Sequence, residues 1–388
     1  MVLRRWTLLS AALLSSPATS FLPAPRPRAL LSPRLSSSLE DSPNILVLDH
    51  LNINHEKGRH DLLRAFYFDV LGCAIDPRKL ENLEKGRKTL WANCGIHQFH
   101  FSEGAEAQVF DGVVTVAFES LDGVRQRLAN APAVLAESAF AWEASGDDEE
   151  EELRATDPWG TTFRLVADPT ARDERGAQPG PASEPVAVPD LRVHVPPGAS
   201  LAGVERFYSQ VLGAGVVKSA IEGGGGGGDE LVLAMSPKQT LTFRERPDKR
   251  PVAHEDLSTM ESEDGGGGGG GGGGAPVNNG AHVSLYVRDL PAAFRRAEAL
   301  GCVFVNHRFS RRAYTLDEAV DQCMFRVLDV VDPLQQGQGE PAKPILRLEH
   351  EVRSATKKDG SKYKSAPFDD LAAIGVLPPQ KQEPAPVL

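Results

Sequence analysis

The segment Phe66-Tyr67-Phe68-Asp69-Val70-Leu71-Gly72 returns as Phe207-Tyr208-Ser209-Gln210-Val211-Leu212-Gly213, and no other feature limits the fold as much. Each copy follows a short alternating run, Asp49–Asn54 and Asp190–Val195, and precedes a β-rich stretch. Strand, amphipathic helix, then strands is one supersecondary unit, and a recurring unit must bury its face against its siblings. Leu63, Phe66 and Val70 make an apolar helical stripe that Val204, Phe207 and Val211 reproduce. Gly72 and Gly213 stop the helix where a positive φ is wanted. A shorter echo aligns Val113–Phe118 and a helix from Leu121 with His282–Val287 and a helix from Leu290. The spacing predicts four strand–helix–strand–strand units beginning near residues 47, 112, 188 and 281.

An early His on a first strand, the FYxxVLG helix, the strand His97–Phe101 and the closing run Asp157-Pro158-Trp159-Gly160-Thr161-Thr162-Phe163-Arg164-Leu165 resemble the vicinal-oxygen-chelate superfamily. That group contains glyoxalase I, extradiol dioxygenases and bleomycin-resistance proteins. The resemblance covers residues 45 to 350. It implies an α+β fold of four βαβββ units forming two tandem glyoxalase-like domains, at 45–168 and 188–352. Such a fold hosts many functions, so chemistry must be argued from the site.

The chain carries a formal net charge of −11. That argues against nucleic-acid binding, which needs clustered Lys and Arg. Much of the excess lies in one acidic run, Asp147–Glu152, read as a solvated loop insertion. Arg4 and Arg5 precede an apolar run from Trp6 to Leu14, too short for a membrane span, and Ala18-Thr19-Ser20 offers a cleavage site. Phe21 and a Pro-, Arg- and Ser-rich stretch without an acid until Glu40 follow. Residues 1–44 thus read as a signal plus a plastid-type transit segment, with simple secretion or an endomembrane address as the alternative. Four cysteines, Cys73, Cys94, Cys302 and Cys323, lack metal spacing and read as buried thiols. Residues 169–187 read as a linker, Gly223–Gly228 and Gly265–Gly274 as loop insertions, and 353–388 as a disordered tail. The expected partner is a small molecule, with no nucleic acid and no membrane, bound by a monomer whose two domains pack together.

The resemblance implies a curled sheet whose concave face holds a divalent metal through an early first-strand residue and a fourth-strand residue of each paired unit. Strand alternation puts His50, Asn52, Gln98 and His100 on the cleft face of unit one. His50 and Gln98 then occupy ligand positions. Unit two offers Val113 and Arg164, unit three Asp190 or Leu191 with Thr240, and unit four His282. His194 is a weaker cleft candidate, and His97 faces away. Unit four's last strand admits Arg347, Glu349 or Glu351 on the same face. Glu349 is taken as both ligand and catalytic carboxylate, because a carboxylate beside two imidazoles is a working metal set. Asn52, His100 and Arg164 are the expected substrate contacts. A zinc, nickel or iron ion held by His50, Gln98, His282 and Glu349 requires unit one to pair with unit four. Three functions fit: a metal-dependent lyase or isomerase resembling glyoxalase I, a metal-free binding protein of bleomycin-resistance type, and an iron-dependent dioxygenase.

Overall fold

Four successive βαβββ units are present in the computed structural model, which describes residues 43–145, 152–172, 175, 180–219, 230–250, 252, 281–335, 343–368 and 371. Unit one is β1 (Ile45–Glu56), helix α1 (His60–Leu63 continued by the wider turn Arg64–Val70), β2 (Ala74–Ile75), β3 (Leu90–Cys94) and β4 (His97–Gly104). Unit two is β5 (Gly112–Phe118), a helix at Asp122–Ala129, β6 (Ala141–Ser145), β7 (Glu152–Thr156) and β8 (Thr162–Ala167). Unit three is β9 (Pro185–Val195), a helix at Leu201–Phe207 continued by Tyr208–Leu212, β10 (Gly215–Lys218), β11 (Glu230–Ser236) and β12 (Gln239–Glu245). Unit four is β13 (His282–Val287), a helix at Leu290–Ala299, β14 (Val303–Phe304), β15 (Met324–Val331) and β16 (Pro344–Ser354). This is the expected α+β class.

The units pair across the halves of the chain. One eight-stranded sheet runs β14-β15-β16-β13-β1-β4-β3-β2, joining units one and four. The other runs β10-β11-β12-β9-β5-β8-β7-β6, joining units two and three. Within each unit the first and last strands are parallel, and the units meet through antiparallel β1/β13 and β5/β9. A single apolar core nevertheless runs through both sheets. The helices make this continuity: Phe66 and Tyr67 from unit one pack on Phe163 of unit two, at 5.4 and 5.9 Å between ring centroids. Burying each such ring contributes about 1.5–3 kcal/mol.

Both FYxxVLG segments end in the same way. The predicted stripe Leu63, Phe66 and Val70 is fully buried, as are Val204 and Phe207. Gly72 and Gly213 both take φ +77, the left-handed stop that only glycine adopts without strain. Sequence periodicity did not foretell the wide i→i+5 turn preceding each stop. In both copies the motif tyrosine lies in that turn and reaches the other unit of its half. Tyr67 Oη donates to Asp157 Oδ2 at 2.8 Å, and Tyr208 Oη contacts His350 Nε2. Asp157 Oδ1 already accepts from the amides of Trp159, Gly160 and Thr161. Tyr67→Phe leaves the buried Oδ2 without its donor, so we expect a stability loss of about 1–3 kcal/mol in urea unfolding. A loss near zero would mean that water replaces the hydroxyl.

Several expectations about the segments between units change. Residues 169–187 are tethered where described: Arg175 donates to the carbonyls of Gly95 and Ile96, and Glu184 N bonds Gly72 O. The tail from Ala355 to Phe368 is packed, because Ala355, Tyr363, Ala366 and Phe368 bury against Val47, Tyr286 and Cys323. A few apolar residues in a Lys- and Ser-rich stretch suffice to cover that part of the central strands. All four cysteines are buried, and none is in a disulfide. The leader to residue 42, most of the acidic run, both polyglycine tracts and the tail beyond residue 371 lie outside the described residues. Among the described residues no helix is long and apolar enough to cross a membrane.

Candidate metal centre

The centre of the first sheet brings the predicted residues together. Across the antiparallel β1/β13 pair, His50 faces Ser284 and Asn52 faces His282. On one flank β4 sets Gln98 beside His50 and His100 beside Asn52; on the other β16 sets Glu351 beside Ser284. Leu51, Ile53, Phe99 and Phe101 go to the core, so alternation sends His50, Asn52, Gln98 and His100 to the opposite face.

A register shift between Leu48 and His50 lets Asp49 turn toward its neighbour. Asp49 Oδ2 lies 2.8 Å from His50 Nδ1. The carboxylate therefore holds the proton on Nδ1 and leaves the Nε2 lone pair pointing away. Nε2 is buried and has no hydrogen-bond partner. The His282 ring lies 5.5 Å from that of His50, and its Nε2 is 3.3 Å from Glu351 Oε2. His50, His282 and Glu351 each offer one donor atom, all within 4.8 Å of one another, and the residues are 1%, 2% and 4% exposed. Such a convergence of two imidazoles and a carboxylate is a transition-metal donor set.

The carboxylate in this set is Glu351, which corrects the choice of Glu349. Extending the β13/β16 register by one residue does place Glu349 beside His282. Its carboxylate is instead held by Arg326 Nη1 and by Asn306 Nδ2, the latter at 2.8 Å. Arg326 Nη2 donates to Glu351 Oε2 at 2.6 Å, and Arg353 Nη2 lies 2.5 Å from Glu351 Oε1. Burial opposes the Glu351 charge, but Arg326, Arg353 and His282 overcome it and hold the carboxyl well below its usual range. Arg347, the third candidate, pairs with Asp329 at 3.0 Å.

His100 is stacked between His50, at 3.7 Å, and Trp91, at 4.5 Å. Arg78 and Lys79 lie over the Trp91 ring at 4.7 and 4.2 Å. The Gln98 amide is committed to positioning: its Nε2 donates to Asp76 and Asn93, and its Oε1 meets His100 Nε2 at 3.1 Å. The oxygen that Gln98 was expected to give a metal thus fixes the proton on His100 Nε2 and leaves Nδ1 as the basic nitrogen. Burial, reinforced by neighbouring positive groups, pushes the His50 and His100 imidazoles well below their ordinary value. Both are neutral near pH 7, the ligating form. The segment around Asn306 closes this face: Phe309 lies 5.6 Å from His282, and Arg308 Nη2 donates to Asn54 Oδ1 at 3.3 Å.

Buried histidines elsewhere give a pH dependence of stability. Burial lowers His97 and His350 to about 4, below the unfolded value of about 6.5. In this window the unfolded chain binds the extra protons, so stability is complete above about pH 6.5 and falls as pH drops toward 4. We expect each to cost about 1–2 kcal/mol by pH 5. Urea unfolding at pH 7.5 and 5 measures it, and equal stabilities would show that these rings are not held neutral.

Other candidates go elsewhere. Arg164 stands on β8 in the second sheet, half exposed, and pairs with Glu152 at 2.5 Å. It therefore takes no part in the His50 site, and a neighbouring acid holds the guanidinium that was expected to meet the substrate. In the second sheet Val113 faces Arg192, and Asp190 accepts from Thr240 and Thr242. Among the described residues no group of three metal-capable donors lies on that sheet. His194 pairs with Asp111, and His97 Nδ1 accepts from the Val188 amide. Sequence reading missed Asp49, Arg326 and Arg353. The Asp49-His50 dipeptide was a signal for the first; the arginines sit on strands whose register only the fold reveals.

No family model matches the chain, and no curated protein does. Solved structures do resemble it. Glyoxalase I from Zea mays is 12% identical at a TM-score of 0.42, the match covering 81% of this chain and 92% of that one. A Bacillus subtilis protein described as a dioxygenase is 12% identical at a TM-score of 0.45, with 81% and 86% covered. The 2,3-dioxygenase LapB from Pseudomonas sp. KL28 is 15% identical at a TM-score of 0.28, with 80% and 93% covered. The connectivity is the one that the vicinal-oxygen-chelate resemblance implies: four βαβββ units, here paired two by two into eight-stranded sheets.

Proposed function

We propose that this chain is a metal-dependent enzyme of glyoxalase-like type, a lyase or isomerase acting on a small oxygenated metabolite at one site, with His50, His282 and Glu351 holding a divalent cation. The observation that carries this reading is the buried His50 Nε2, without a partner, oriented by Asp49 and converging with His282 and Glu351. A lone pair buried in this way costs free energy unless something accepts it. When bound, the cation would act as a Lewis acid on a substrate oxygen.

The surrounding residues suit an anionic oxygen. Arg326 and Arg353 meet Glu349 and Glu351, so the wall is near neutral before a dication enters. With the dication the site becomes net positive and favours an enolate-like or carboxylate ligand. Asn52, on the same face, is placed to orient it. Glu351 is held too acidic to serve as a base near pH 7. His100 is neutral with its Nδ1 basic, so the proton carrier in this reading is His100. Water is limited by Trp91 on one side and the Asn306–Phe309 segment on the other.

A specific observation favours a second reading. Two histidines and one carboxylate leave coordination positions open, the pattern of non-haem iron oxygenases. Metal analysis and reconstitution separate the readings. The lyase reading expects anaerobic turnover with zinc or nickel. Oxygen uptake that requires iron would replace it with the oxygenase, and a purified protein that binds no divalent metal would leave a metal-free binding protein.

A further inference from the structure

We propose a second divalent-metal site in the same unit, formed by His55, His60 and Glu103 on the opposite side of the sheet from His50. The β1/β4 register runs unbroken from His50 beside Gln98 to Glu56 beside Gly104, and pairs His55 directly with Glu103. Alternation puts both on the core-facing side, away from the first site. Past β1 the chain turns through Gly58, at φ +83, and brings His60, the first residue of α1, back over His55. The two rings stand 4.8 Å apart at 67°.

The nitrogens are arranged as a ligand set. His60 Nε2 donates to the Lys88 carbonyl at 2.9 Å, which fixes the tautomer and leaves Nδ1 with the lone pair. His60 Nδ1 is buried without a partner, and so are both ring nitrogens of His55, which is 0% exposed. One donor atom from each of His55, His60 and Glu103 lies within 4.8 Å of the others. Small side-chain rotations would close these gaps to the roughly 3.4 Å between tetrahedral ligands at about 2.1 Å from zinc. Two imidazoles and one carboxylate favour a zinc-like cation over calcium or magnesium. The Trp159 indole, its N–H also buried without a partner, has its ring 6.5 Å from His55 and can donate to a water in the open position.

The site ties the ends of β1 and β4 to the start of α1, the helix that carries Phe66 and Tyr67 into the core. It does not depend on the His50 centre. The test is zinc titration of the metal-depleted full chain by chelator competition, with thermal melting as a second readout. His60→Gln and Glu103→Gln are each expected to bind one equivalent less than wild type and to lose the part of the zinc-induced rise in Tm that this site supplies. His50→Gln should keep that part. Glu103 is only partly buried, so Glu103→Gln carries the test if His60→Gln does not fold. Wild-type stoichiometry in Glu103→Gln and in any folded His60→Gln overturns the proposal. Should the His50 centre hold no metal, the wild-type count falls to one and the His60→Gln count to none, which separates the two sites.

Discussion

His282→Ala is expected to weaken binding of the divalent cation at the sheet centre by at least about 100-fold, beyond the 10–100-fold typical of losing a supporting residue. The substitution removes one of three converging donors and leaves His50 and Glu351 to hold the ion alone. It also leaves Glu351 paired with Arg326 and Arg353, so the fold keeps its buried ion network. Two companions sharpen the reading. Asp49→Asn keeps the hydrogen bond's shape but loses the charge that sets the His50 tautomer, so it should cost about 10–100-fold. Glu349→Gln should change affinity by less than about tenfold, because its carboxylate serves Arg326 and Asn306. Chelator competition on folded variants, in a background lacking the His60 site, measures all three. If Glu349→Gln proves as damaging as His282→Ala, the donor is Glu349 and the observed rotamers are those of a resting state.

The contrast between those two glutamates shows what the sequence could carry. The repeated FYxxVLG helix, its glycine stop and the alternation of β1 and β4 were all legible, because each is a local pattern with a fixed period. Those patterns put His50, Gln98, His100 and His282 on one cleft face. The choice among Arg347, Glu349 and Glu351 was not legible, since all three share a face and differ only in which partner reaches them. That depends on Arg326 from β15 and Asn306 from the segment after β14, neighbours brought in by antiparallel pairing and loop closure. The role of Asp49 was hidden for a related reason. It sits out of phase with His50 in a regular strand, and only the register shift turns it toward the ring. Gln98 was read by residue type as a ligand, whereas its neighbours Asp76 and Asn93 commit it to holding His100. The His55 site went unseen because the reading followed the cleft face alone.

Arg326→Met is expected to be the most destabilising single change on this sheet, by about 3–5 kcal/mol at pH 7. Arg326 is 5% exposed and bridges two buried carboxylates, Glu349 at 0% and Glu351 at 4% exposed. Glu351 would keep Arg353, but Glu349 would keep only the neutral Asn306 amide as a hydrogen-bond donor, with Arg308 acting on it through space alone. A buried charge stripped of its counter-ion costs far more than the pair contributes, and this asymmetry supplies the test. Replacing Glu349 by Leu in the Arg326→Met background should recover at least half of the loss, although it removes a further polar group. The pH dependence has a definite sign. In the wild type the depressed Glu351 carboxyl contributes stability that is present above the unfolded pKa of about 4.3 and is lost as pH falls through the folded value. In the variant Glu351 has lost Arg326, one of the charges that hold it low, so less of that contribution remains to be lost. The gap between variant and wild type is therefore widest near pH 7 and narrower near pH 4.5. Urea unfolding of the three proteins at both pH values decides the matter. A loss under about 1 kcal/mol at pH 7, or a double variant no more stable than Arg326→Met, would mean that water reaches Glu349 and that the site is far wetter than its packing indicates.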